Sequence, residues 1–149
     1  MPPGARVSAK ELSRRELALT EAPLFANLPK RHLRSIAKVT GVREYEKGAS
    51  VIREGDPGST FYVVLDGGAR VVRGGQTVTH LSADDFFGEI SLLDAGSRTA
   101  SVIAESPLRC LTLDEKDFAK ILASEPVLAT RILRGLAARL RRSERSPIS

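Results

Sequence analysis

Residues 54–81, EGDPGSTFYVVLDGGARVVRGGQTVTHL, decide the fold class. Three short runs rich in β-branched and aromatic residues lie within them: TFYVVLD at 60–66, ARVVR at 69–73 and TVTHL at 77–81. Glycine-bearing turn sequences separate the runs, EGDPGS before the first and DGG before the second. RGGQ fits a hairpin with a two-residue Gly-Gly loop, in which both central residues need positive φ. The same texture continues outward, with GVREY (41–45) and SVIRE (50–54) upstream and TASVIAE (99–105) and LRCLTLD (108–114) downstream. Short strands at this regular spacing predict an antiparallel sandwich, barrel or roll.

Helical patterns flank the strands. SAKELSRRELALT predicts an N-terminal helix at about 8–20, with Ser8 as N-cap and Glu11 three residues on, the spacing of a capping box. After the Pro-bounded turn in EAPLFANLP, a second short helix is predicted near 30–38. Helical spacing returns in DEKDFAKILAS and in EPVLATRILRGLAARLRRSER, a basic C-terminal helix at about 126–144 whose first turn suits Pro126. There is no internal repeat and no long linker, so residues 1–149 are expected to form a single domain.

Composition narrows the function classes. With 42% hydrophobic and 28% charged residues the chain reads as globular, and no stretch approaches the roughly 20 apolar residues of a membrane helix. The N-terminus lacks an apolar signal-peptide core, so a cytoplasmic protein is expected. The single cysteine, Cys110, lies in an apolar run and is expected to be a buried structural thiol. The net charge of +5 sits wholly in residues 131–149, which hold six arginines and one acid. Such a tail reads first as a solvated helix face. His32 and His80 are the only histidines, too few and too far apart in sequence for a metal site. Neither a nucleophile elbow nor a Walker loop occurs, so no enzyme and no metal are expected.

One stretch breaks the strand pattern: FGEISLLDAGSRTASV, residues 87–102. Small residues at Gly88, Ser91, Ala95, Gly96, Ser97 and Ala100 let the backbone come close to a ligand. GEISLL can form one or two helical turns, and the N–H groups of Glu89, Ile90 and Ser91 would converge there, as a helix start does on phosphate. Arg98 adds a charge-assisted, bidentate contact to the same anion. Glu89 would repel a lone anion but accepts from a hydroxyl, so the expected ligand is a small phosphate with a sugar hydroxyl nearby.

FGEISLL followed by SRTASV resembles the phosphate-binding cassette of the cyclic nucleotide-binding domain family. The similarity continues through LFANLP, EGDPGSTFYVVLDGG and FFGE upstream and LDEKDFAKIL downstream, covering a core of about residues 20–140. The resemblance implies an α+β, mainly β fold: an eight-stranded antiparallel, jelly-roll-like β-roll with N-terminal helices and two C-terminal helices. It implies that Glu89 takes the ribose hydroxyl, that Arg98 takes the cyclic phosphate, and that Gly88 and Ser91 offer backbone N–H groups. Phe87, Ile90, Thr99 and Ala100 complete the cassette. Val71 in the roll and Leu136, Arg139 and Leu140 on the last helix are the implied base and lid contacts. In SADDFFGE, Asp84 stands where members often have glycine, and Asp tolerates left-handed backbone better than most residues. A hydroxyl at Thr99 accompanies cyclic GMP preference in some members, but bacterial members with it commonly bind cyclic AMP, which is the ligand expected here.

The resemblance further implies a sensor whose C-terminal helix is repositioned by cyclic AMP and signals to a protein partner not identified by the residues. Leu128, Ile132, Leu136 and Leu140, with Leu133 beside them, are read as one apolar arc, with Arg131, Arg134, Arg141 and Arg142 opposite. Gly135 is read as keeping this helix less rigid than Ala would. SERSPIS after it is too short for a helix-turn-helix, so no sequence-specific DNA binding by this chain is expected. Pairing of two copies through the C-terminal helix stays open. So do a cyclic GMP sensor, a regulatory part of a larger transcription factor or channel, and a degenerate scaffold that has lost its nucleotide.

Overall fold

FYVVL, residues 61–65, is apolar throughout because the strand it forms is covered on both faces. The structure, a computed structural model, describes residues 8–88 and 98–145, with the side chains of Leu140 and residues 142–145 also outside it. Glu89, Ile90 and Ser91 therefore lie outside the described residues. The strands are β1 (Gly41–Tyr45), β2 (Ser50–Ile52), β3 (Thr60–Asp66), β4 (Ala69–Arg73), β5 (Gln76–Leu81), β6 (Phe86–Phe87), β7 (Ser101–Ala104) and β8 (Leu108–Asp114). They form two four-stranded sheets, β1-β8-β3-β6 and β2-β7-β4-β5, with every pairing antiparallel. The expected β-roll is the observed architecture.

Side chains alternate across a strand, so β3 sends Phe61, Val63 and Leu65 to one side and Tyr62 and Val64 to the other. The first set joins Leu111 and Leu113 of β8 and Phe86 of β6 in a core shared with the helices. The second joins Leu108, Cys110, Phe87, Val102 and Ala104 inside the roll. The Gly-Gly hairpin forms as expected: Arg73 pairs with Gln76 across Gly74 and Gly75, at φ 58° and 78°. Strand β6 leaves no periodic mark in the sequence, because two phenylalanines between Asp85 and Gly88 are too few to show a period.

Helices α1 (Ala9–Thr20), α2 (Lys30–Val39), α3 (Glu115–Ser124) and α4 (Pro126–Arg145) fall within a residue of the expected bounds. Ser8 caps α1, its hydroxyl accepting the Glu11 N–H at 3.1 Å. The Glu11 carboxylate turns instead to Arg15 at 3.2 Å. Helix α4 buries Leu128 and Ile132 and half-buries Leu136 against the helix-side core. Leu133, expected in that arc, is 66% exposed, because the roll covers only one narrow side of the helix. Arg131 is likewise not on an open face: it donates to the carbonyls of Pro23 and Leu24, at 3.4 and 2.8 Å, pinning α4 to the short 3-10 turn Pro23–Phe25. Among the described residues no helix is long and apolar enough to cross a membrane.

Cys110 is completely buried in β8, and desolvation of its thiolate pushes the thiol up to about 12. The unfolded chain then ionises first as pH rises past about 9, so stability present below that pH falls progressively toward pH 12. Dithiobis-nitrobenzoate should leave the folded protein unlabelled at pH 8 and label one thiol per chain in denaturant. Urea melts of the wild type should lose stability above pH 9 more steeply than those of Cys110→Ala.

Candidate functional site

The EGDPGS turn is what places Arg98. The Gly55 N–H donates to the Arg98 carbonyl at 2.8 Å, and the Arg98 N–H to the Asp56 carbonyl at 2.9 Å. The side chain then runs inward past Gly58 and is only 6% exposed. Its Nη1 donates to the carbonyl of Gly88 at 3.0 Å and its Nη2 to that of Thr60 at 2.8 Å. Both of these acceptors are main-chain carbonyls, which orient the guanidinium.

Gly88 meets two demands at once. Its φ is 91°, and a Cβ there would stand 2.5 Å from the Thr60 carbonyl and 3.1 Å from Arg98 Nη1. The sequence suggests glycine here for approach to a ligand; within the protein it also allows the approach of β3 and of Arg98. Asp84 adopts φ 80°, the left-handed backbone that glycine would supply at that position, so the departure in SADDFFGE is absorbed locally. Asp85 closes the turn, its carboxylate accepting the Ser82 N–H at 2.9 Å.

Beside Arg98 opens a cleft of about 390 Å³, lined by Val51, Arg53, Gly58, Thr60 and Tyr62 among others. Phe87 stacks on Tyr62 with ring centroids 4.7 Å apart, forming part of the roll interior next to Gly88. Val71 packs against that same interior. Thr99 is exposed, and its carbonyl accepts from Arg73 Nε at 3.3 Å. Ala100 is half-buried. The motif points to Arg98 but not to the carbonyls that hold it, since main-chain acceptors leave no mark in a string of side chains. Gly58, in the EGDPGS turn, is the one visible signal for that cradle.

Helix α4 is tied to β6 immediately before Gly88. Arg139 donates to the Phe86 carbonyl, and its guanidinium lies 5.0 Å from the centre of the Phe86 ring. Gly135 sits directly on that ring: a Cβ there would be 2.6 and 2.8 Å from two ring carbons. The expectation that Gly135 loosens the helix thus meets a different physical reason, close packing. Leu136 is half-buried on the helix-side core, while the Leu140 side chain is outside the described residues. His80 pairs with Glu105 at 2.7 Å, and His32 lies 2.6 Å from Glu125 in a smaller groove of about 210 Å³ between α2 and α3. No group of three or more metal-ligating side chains occurs among the described residues.

Residues 42–125 match the family model of the cyclic nucleotide-binding domain. A cAMP-dependent protein kinase regulatory subunit of Schizosaccharomyces pombe is 36% identical over 110 residues, 73% of this chain and 27% of that protein. A CRP-like cAMP-activated global transcriptional regulator of Mycobacterium tuberculosis is 28% identical over 130 residues, 84% of this chain and 58% of the regulator. The crystal structure of the Thermus thermophilus catabolite activator protein superposes with a TM-score of 0.71 at 33% identity, covering 83% of this chain and 60% of that one. The chain spans about a quarter of the length of the kinase regulatory subunits it matches.

Replacing Gly135 by alanine should reverse the usual sign of a helix substitution. Alanine gains about 1 kcal/mol of helix propensity, but overpacking against the Phe86 ring costs about 1–3 kcal/mol. Urea denaturation should give Gly135→Ala a net loss of up to about 2 kcal/mol. In a Phe86→Leu background, where the ring is gone, the same change should be neutral or stabilising.

Proposed function

The chain belongs to the cyclic nucleotide-binding domain family, and from that premise we propose that it is a cyclic AMP sensor that signals to a partner protein. The observation that carries the proposal is the buried Arg98 guanidinium, aimed by the carbonyls of Gly88 and Thr60 at the edge of a nucleotide-sized cleft. In this reading Arg98 takes the cyclic phosphate, assisted by the backbone N–H groups of Gly88 and Ser91 and with Ile90 completing the cassette. Glu89 accepts from the ribose 2′-hydroxyl. Phe87, Thr99 and Ala100 shape the pocket, and Val71 faces the base from β4. The module spans residues 1–149 as one unit, regulatory rather than catalytic.

Cyclic AMP is favoured as the ligand because the relatives named above are, by description, cAMP-dependent or cAMP-activated. Cyclic GMP is the second reading, which the Thr99 hydroxyl supports through its exposure at the cassette's end. A protein output is favoured by the first of these relatives, the regulatory subunit of a protein kinase. The signal leaves through α4, with Leu136, Arg139 and Leu140 as its lid contacts. Arg139 supports this, because it touches Phe86, two residues from Gly88. A ligand that alters the cassette shifts the helix only to the extent that it binds one helix position better than the other.

Calorimetric titration should give tighter binding of cyclic AMP than of cyclic GMP, and Arg98→Ala should weaken it by about 1.5–3 kcal/mol, the range for a hydrogen bond to a charged group. Glu89→Ala and removal of the 2′-hydroxyl from the nucleotide should give non-additive losses, since both delete one hydrogen bond. An Arg98→Ala protein that titrates like the wild type refutes the phosphate assignment. Hydrogen exchange along residues 127–142 should slow when cyclic AMP is added; equal protection with and without ligand would make α4 a static prop.

A further inference from the structure

We propose that Gly58 is a positioning residue for the anion site: the absence of a side chain there is what lets Arg98 reach its place beside Gly88. The inference rests on Arg98 as the phosphate-binding group of the proposed function and adds the residue through which that group is aimed.

Gly55, the first glycine of EGDPGS, is needed for its backbone, with φ 87° and open space where a Cβ would stand. Gly58 is the opposite case. Its φ lies outside the left-handed region, so backbone strain is not what calls for glycine there. What excludes a side chain is Arg98: a Cβ on Gly58 would fall 1.9 Å from Nε, 2.5 Å from Cζ and 2.7 Å from Nη2. These contacts run along the Nε–Cζ–Nη2 edge, the edge with which a guanidinium grips an oxyanion in bidentate fashion.

Arg98 has little room to give way. Its main chain is fixed by the Gly55 N–H and the Asp56 carbonyl, and its two terminal nitrogens by Gly88 and Thr60. A methyl group at position 58 must therefore swing the guanidinium off both carbonyls. Gly58→Ala relocates the positive charge without removing it, a perturbation of aim and not of electrostatics. The ligand class it would affect is a phosphodiester or similar oxyanion bound by Arg98.

Gly58→Ala, Arg98→Ala and the double variant should be compared by calorimetric titration with cyclic AMP and by thermal unfolding. The Arg98 Nε–H resonance, identified by its loss in Arg98→Ala, should be followed in ¹⁵N spectra. Gly58→Ala is expected to bind about tenfold or more weakly and to move the Nε–H resonance. In the Arg98→Ala background the same change should weaken binding no further. Wild-type affinity in Gly58→Ala, an unmoved resonance, or losses that multiply in the double variant would each overturn the proposal. If Gly58→Ala unfolds, removal of Arg98 should restore its melting temperature, and failure to do so would also overturn it. If the wild type binds no cyclic nucleotide, the functional reading fails, and the Nε–H resonance alone decides the role of Gly58.

Discussion

Strand β3 has no solvent face along its centre. Phe61 and Val63 must fit beneath the helices while Tyr62 and Val64 fit inside the roll, so a slip of one residue would exchange the two cores. That constraint propagates through hydrogen bonding. Val63 pairs with Phe86 and Tyr62 with Phe87, which sets adjacent phenylalanines on opposite sides and leaves Gly88 just past the end of β6. The Thr60 carbonyl at the head of β3 and the Gly88 carbonyl at the end of β6 then stand close enough for one guanidinium to bridge them. The candidate site is thus a by-product of register: once β3 is seated, the two acceptors that hold Arg98 have only one place to be.

Features set by local chemistry are legible in the amino-acid sequence itself. RGGQ specifies its hairpin because both central residues need positive φ, and β4 and β5 are in register around it. Ser8 and Pro126 mark helix starts for reasons internal to a few residues. Legibility ends where the decisive partner is distant. Nothing near Gly135 announces the Phe86 ring, and nothing near Arg131 announces the carbonyls of Pro23 and Leu24. The exposure of Leu133 depends on how narrow a strip of roll α4 meets, a tertiary quantity. At the site, Gly88, Arg98 and Phe87 follow from the motif, whereas the carbonyl cradle leaves no mark in the sequence beyond Gly58.

Two glycines, Gly58 and Gly135, are used here for space and not for backbone freedom. One admits an arginine and the other an aromatic ring, and both contacts lie within reach of β6. Such positions look permissive in sequence because glycine is read as a loosening residue. In packing terms they tolerate little, since the volume they leave out is already filled.

The strand order also says something about how the chain assembles in time. The β4–β5 hairpin closes across two residues, and hairpins of this kind form in roughly 1–10 μs. Strand β1, near the start of the roll, has β8 as its partner in the sheet, so Gly41 must find Thr112 across nearly the whole of it. Closing so long a loop is entropically costly before any contact rewards it, and folds dominated by such pairings are slow. Thr60 and Gly88 lie at the start of β3 and just past β6, strands that pair directly with each other, so the carbonyl cradle waits on the β3–β6 pairing and not on the β1–β8 closure. A nascent chain would therefore display its hairpin before the two carbonyls that hold Arg98 are brought together.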